Sequence, residues 1–161
     1  MRPITILLLM CTGLALCGCG AASPVQPETG GDPLEITAFS FYHTASSTDG
    51  CYCLTLTREE SGTHLYAEEL FSGGRIADTV VEDDALEQLG ELAGTYRVDR
   101  WDGFDKNNKR VMDGSAFTLS ITCSDGTTIS AHGNNACPEN YADVSAEIRT
   151  LYDELMAQYA S

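Results

Sequence analysis

Seven residues, Phe117-Thr118-Leu119-Ser120-Ile121-Thr122-Cys123, alternate apolar and hydroxyl-bearing side chains up to a closing cysteine. Successive side chains of a strand point to opposite faces, so this segment buries one sheet face and leaves the other in water. The turn that follows, Ser124-Asp125-Gly126, allows two registers. A two-residue Asp125-Gly126 loop pairs Ile121 with Ser130 and sends Ile129 to the opposite face. A three-residue loop with Gly126 left-handed pairs Ile121 with Ile129 and Leu119 with Ala131. Matching buried residue to buried residue selects the three-residue loop.

The same reasoning places the other strands. One begins at Leu34 and runs to about His43. Cys51 to Thr57 alternates, with Leu54 and Leu56 on one face and Cys51, Cys53, Thr55 and Thr57 on the other. A four-residue hairpin loop at Glu59-Glu60-Ser61-Gly62 sets Leu56 opposite Leu65 and Leu54 opposite Ala67. Ser72-Gly73-Gly74 turns the chain into a strand from Arg75 to Val81, and Tyr96 to Trp101 reads as another.

Two helical patterns interrupt the strands. Asp84 with Glu87 three residues on forms a capping-box pattern before Leu86, Leu89, Leu92 and Ala93, and Gly94 is a natural terminator. The last helix spans about Pro138 to Tyr159. Tyr141, Val144, Ile148, Leu151, Leu155 and Tyr159 fall on one of its faces, while Pro138 and Glu139 suit its first turn. The expected fold is α+β: a mostly antiparallel sheet of meander hairpins, with one central helix and one C-terminal helix packed on a sheet face. A pure sandwich is the alternative, disfavoured by the strong period of the last helix. Residues 34–161 form a single domain of ordinary size.

The amino terminus carries an address. Met1-Arg2 is a minimal positive region, and the apolar run from Ile4 to Leu16 is shorter than the roughly 20 residues a bilayer core requires. Its length and place are those of a secretory signal. Leu16-Cys17-Gly18-Cys19 then resembles a lipobox. The resemblance implies removal of residues 1–18 and a thioether-linked diacylglyceride, with palmitate-type acyl chains, on Cys19. Cys17 is the poorer acceptor because Leu16, not a small residue, precedes it. An ordinary signal peptide with Cys19 a free thiol is the alternative. Two acyl chains at about 0.8 kcal/mol per buried methylene anchor far more firmly than one. Residues 19–33 (CGAASPVQPETGGDP) read as a flexible tether, with a root-mean-square span of roughly 20 Å.

Charge narrows the partners. Without residues 1–18 the chain loses Arg2 and keeps eight basic against 24 acidic residues, a formal charge of −16. Nucleic acid is therefore excluded as a partner, and attraction to anionic lipid adds nothing to the anchor. No cofactor is expected.

From Trp101 onward a further likeness stands in the residues. Trp101-Asp102-Gly103-Phe104, Asp113-Gly114, Phe117, Leu119, Ile121, Asp125-Gly126, Ile129, Ala131, Gly133, Asn135, Pro138 and Tyr141 resemble uncharacterised clostridial-type (Gram-positive) envelope lipoproteins. The likeness covers about a quarter of the chain. It implies an extracytoplasmic, membrane-held location and lends no catalytic residue.

Chemistry is sparse in the sequence. His43, His64 and His132 form no zinc-type pair, and there is no G-x-S-x-G elbow. His132 with Cys137 is reminiscent of a Cys-His hydrolase, but the nucleophile signature is missing; a histidine on the polar strand face beside Ser130 and Thr128 is the simpler reading. Asp105-Lys106-Asn107-Asn108-Lys109-Arg110 begins like a calcium loop and fails where Arg110 replaces the required glycine. No catalytic or metal-ligating residue is assigned. Cys51, Cys53, Cys123 and Cys137 remain. Cys51 and Cys53 share a strand face with Cα atoms roughly 6.6 Å apart, near the limit for a bridge. Cys123 and Cys137 belong to opposite ends of a hairpin strand, so at most one disulfide is expected. Small buried hydrophobes are the other reading of these cysteines.

The candidate contact surface is the 13-residue stretch from Asp102 to Gly114, read as a long loop. It holds Lys106, Lys109 and Arg110 beside Asn107, with Trp101 and Phe104 flanking, a combination suited to an anionic or glycan-like partner. The alternative is a solvated tip whose base Trp101 and Phe104 anchor in the core. A non-enzymatic envelope binding module is the leading expectation, its partner a cell-envelope polymer or surface protein. A surface hydrolase using a histidine with a neighbouring carboxylate, and a structural or assembly lipoprotein, are the alternatives.

Overall fold

A computed structural model describes residues 30–47, 50–71, 74–110 and 114–161. Cys19 and the signal segment lie outside these residues, as do Ser72 and Gly73 of the expected turn.

Seven strands form one sheet: β1 (Ile36–Thr44), β2 (Tyr52–Glu59), β3 (Gly62–Glu69), β4 (Ile76–Val81), β5 (Phe104–Asn107), β6 (Ala116–Cys123) and β7 (Thr128–Asn134). Helix α1 (Asp84–Thr95) lies between β4 and β5, and α2 (Tyr141–Tyr159) closes the chain. The order across the sheet is β4-β3-β2-β1-β6-β7-β5, antiparallel throughout except for the β5–β7 edge pair. The α+β architecture with a central and a C-terminal helix is therefore as the sequence predicts.

Both hairpin registers agree with burial matching. Ile121 pairs with Ile129 and Leu119 with Ala131, and Gly126 takes φ 85° in the three-residue turn. Leu56 faces Leu65 and Leu54 faces Ala67, though Glu59 still pairs with Gly62, leaving Glu60-Ser61 as a two-residue turn. The inner sheet face carries Phe39, Phe41, Leu54, Leu56, Phe117 and Leu119, all buried, against Leu86 and Leu89 of α1 and Ile148 and Leu151 of α2. At about 25 cal/mol per Å² of apolar surface removed from water, this single layer is the main stabilising term.

Four expectations need correction. The α1 N-cap is Asp83, one residue earlier than Asp84, and it makes no side-chain cap bond. Its carboxylate instead accepts from the buried Thr63 hydroxyl of β3 and pairs with Arg58 of β2 at 3.4 Å, tying the helix start to the sheet. Gly94 does not end α1, which runs on through Thr95. The left-handed residue is Arg97 (φ 53°), whose guanidinium grips Asp99 at 2.9 and 3.0 Å. Tyr96 to Trp101 is accordingly not a strand; Val98–Trp101 is a 3-10 turn.

Gly94 has a different use. Gly31 N–H donates to Gly94 O at 3.2 Å and Leu34 N–H to Gly90 O at 3.1 Å, so the entering chain lies flat along α1. A Cβ on Gly90 would stand 2.2 Å from Leu34 O, and one on Gly94 2.3 Å from Asp32 O. Among the described residues the contacts of the folded unit thus include Gly31, inside the stretch read as tether.

The fourth correction falls on the long loop after Trp101. Part of it is the edge strand β5, running parallel to β7 with Phe104 opposite Ala131 and Asn107 opposite Asn134. Gly103 N–H donates to Ser130 O, and Ser130 N–H to the Asp102 carboxylate, both at 2.9 Å, fastening its start. Asn108 N–H donates to Asn134 O at its end.

Candidate functional site

The segment proposed from sequence as a contact surface separates into two parts. Trp101 is 3 % exposed, rests against Phe117 and Tyr141, and donates its indole N–H to Asn140 Oδ1 at 3.1 Å. It is an anchor of the core, as the alternative reading has it. Phe104 is half-buried on the same side and stacks on Phe117, with Lys106 Nζ 5.1 Å above its ring. Lys106, Asn107, Lys109 and Arg110 are exposed, Lys106 and Asn107 on the β5 edge and the other two just beyond it. The cations therefore form a solvent-facing margin without the indole.

The three histidines are apart from one another. His43 sits at the end of β1 on the helix-covered side, its Nδ1 2.9 Å from the Tyr141 hydroxyl and its ring against Phe41 and Tyr52. Burial first, and Arg149 second, hold its pKa below the usual histidine value. Arg149 forks onto Asp153 at 2.9 and 3.0 Å and lies over the Tyr52 and Tyr152 rings. Burial pushes the Tyr152 hydroxyl up to about 12. His64 bonds Asp78 at 2.8 Å, and His132 Nδ1 lies 3.2 Å from the Thr118 hydroxyl. Both stand on the uncovered sheet face, His132 on the polar side of its strand as expected.

Cys51, Cys53, Cys123 and Cys137 are free thiols. Burial raises the pKa of Cys53, Cys123 and Cys137, so these thiols stay protonated near neutrality rather than poised as nucleophiles. Among the described residues no group of three or more His, Cys, Asp or Glu comes together to hold a metal. A groove of about 430 Å³ between α1 and α2 has Leu89, Leu92, Leu151 and Tyr96 in its lining, and Glu91, Glu147 and Glu154 among its polar residues. None of the described histidines or cysteines lines it.

Among the described residues no helix or strand covers the sheet face opposite the helices. Cross-strand pairing lines up Tyr66, Thr55, Ser40, Ser120 and Ser130 in one row across β3, β2, β1, β6 and β7. At 4.7–4.9 Å per strand the row is about 19 Å long. A second row holds His64, Thr57, Ala38, Thr122 and Thr128, and a third Glu68, Cys53, Tyr42, Thr118 and His132. On β1, β2, β6 and β7 the only charged residue facing this way is Glu59, the last of β2. Acidic residues stand at the margins instead: Glu68 and Asp78 to one side, Asp105 to the other. Sequence alternation points to a polar face here. That its polar residues are hydroxyls rather than charges is legible in Thr118-x-Ser120-x-Thr122 and Thr55-x-Thr57, a signal the reading for catalytic motifs passes over.

No family model matches the chain, and none of the curated proteins matches it.

Proposed function

We propose that the chain is a lipid-anchored extracytoplasmic lipoprotein of the cell envelope, held to the membrane through Cys19, whose domain is a non-enzymatic binding module. The Leu16-Cys17-Gly18-Cys19 lipobox and the likeness of Trp101 to Tyr141 to clostridial-type envelope lipoproteins support the address. The observation that carries the binding reading is the sheet itself. Both helices pack on one face, and among the described residues no element covers the other, a field four strands wide with almost no charge on a strongly acidic domain. Solvent-exposed strand positions ordinarily gather charge, whereas interface centres are depleted of it. The partner is a cell-envelope polymer or surface protein, with Lys106, Lys109 and Arg110 giving a cationic margin at the β5 edge for its anionic groups.

The hydrolase alternative needs a histidine and a carboxylate in a cleft. The pair that exists, His64 with Asp78, stands exposed on the open face, away from the α1–α2 groove.

The test is retention. Acylated protein extracted in detergent is mixed with delipidated envelope fragments and sedimented. The proposal expects the protein in the pellet, displaced by excess soluble envelope polymer. Protein left in the supernatant at every salt concentration contradicts a binding module.

A further inference from the structure

The open sheet face has the chemistry of one ligand class. We infer that it binds a neutral polysaccharide laid across the strands, on the Ser40-Thr55-Ser120-Ser130 row and beside Tyr42. The inference rests on the binding-module reading above and specifies its site and ligand.

Three properties of the face converge on that class. The first is hydrogen-bonding capacity. Ser40 and Thr55 hydroxyls lie 3.3 Å apart and partner each other. Those of Ser120, Ser130, Thr57 and Thr122 make no side-chain bond among the described residues and point where a ligand can use them as donor and acceptor. A sugar chain carries the complementary array of hydroxyls, each able both to give and to accept a bond.

The second property is charge. The field is neutral, and Glu68, Asp78 and Asp105, which share its side of the sheet, repel an anionic chain lying along the row, while Lys106 faces the other side with Phe104. A cationic chain would find no carboxylate on the floor. On an uncharged floor a neutral ligand leaves no charge unpaired along the row.

The third is shape and stacking. The floor side chains are small, and ring-bearing residues border them: Tyr42 in the next row, Tyr66 at the β3 end and His132 on β7. Tyr42 is 38 % exposed. Amphipathic rings of this kind accept the C–H face of a pyranose while the hydroxyl row takes its edges. A second copy of the chain is a poorer occupant: packing two such faces together would desolvate two sets of hydroxyls with little apolar area in return.

The experiment is affinity electrophoresis of the full mature protein in native gels containing neutral polysaccharides, dextran and hydroxyethyl cellulose, with chitohexaose titrated by NMR. Tyr42→Ser removes a bordering ring at an exposed position. Ser120→Asn, placed mid-row, blocks the floor without adding charge, and its thermal midpoint reports whether it folds. The expected result is retardation by at least one neutral glycan, about tenfold weaker in Tyr42→Ser, with chemical-shift changes confined to β1, β2, β6 and β7. Absence of retardation by both gel polysaccharides, together with no shift change on adding chitohexaose, overturns the inference. So does equal retardation of parent and Tyr42→Ser, or shift changes that map to the α1–α2 groove. If envelope fragments still retain the protein when these glycans fail, the binding module stands and the sheet-face assignment alone falls.

Discussion

His43 Nδ1 and the Tyr141 hydroxyl meet at 2.9 Å, joining the end of the central strand to the first turn of the C-terminal helix. Burial raises the Tyr141 pKa, so the phenol keeps its proton and gives it to the imidazole or accepts from it according to the ring's tautomer. Burial first, and Arg149 second, favour the uncharged His43 ring at this junction.

Acid should loosen this junction. Burial, with Arg149 nearby, lowers the folded-state pKa of His43 below the ordinary histidine value of 6.5 that the unfolded chain retains. The unfolded state then binds the proton first as pH falls, so the contribution is complete above about pH 6.5 and is lost on descending through the folded pKa. Urea midpoints should decline between pH 7 and pH 5 in the parent. In His43→Gln the decline should be shallower, although the variant starts less stable; parallel slopes would remove His43 as the cause.

A methyl group at Gly90 should be costly. Alanine normally gains about 1 kcal/mol over glycine inside a helix. Here the added carbon meets the Leu34 carbonyl at 2.2 Å, and displacing a packed backbone costs about 1–3 kcal/mol. Gly90→Ala should lower the melting temperature and raise amide exchange at Gly31 and Leu34. A more stable Gly90→Ala protein would mean that the entering strand does not rest on α1.

Much of this fold was legible because its strands alternate. Phe117 to Cys123 and Leu54 to Leu56 set the inner face, and burial matching fixed both hairpin registers. The parallel edge strand was not legible: Phe104 to Asn107 has one apolar residue, and no hairpin turn links it to its partner β7. The end of α1 was misplaced because Gly94 carries a terminator's identity but serves as clearance for Asp32 and Pro33. Trp101 looked like a surface aromatic because its neighbours are charged, while its own partners, Asn140 and Phe117, are distant in sequence. The open face was half legible, as a polar face without a purpose.

The cationic margin makes a separate demand. Changing Lys106, Lys109 and Arg110 together to Ser should leave the melting temperature nearly unchanged, since exposed charges contribute on the order of 0–1 kcal/mol. Retention on anionic envelope polymers should weaken, most at low salt where screening is least. Equal retention of parent and variant would reduce these residues to a solvated edge.

The anchor is the premise on which the envelope reading depends, and one measurement reaches it directly: metabolic labelling with radioactive palmitate, followed by membrane fractionation of parent, Cys17→Ser and Cys19→Ser. The account predicts label and membrane association in the parent and in Cys17→Ser, and neither in Cys19→Ser, whose acidic domain has nothing else to hold it to lipid. A Cys19→Ser protein that still takes up label, or that stays with membranes once its signal is removed, would contradict it.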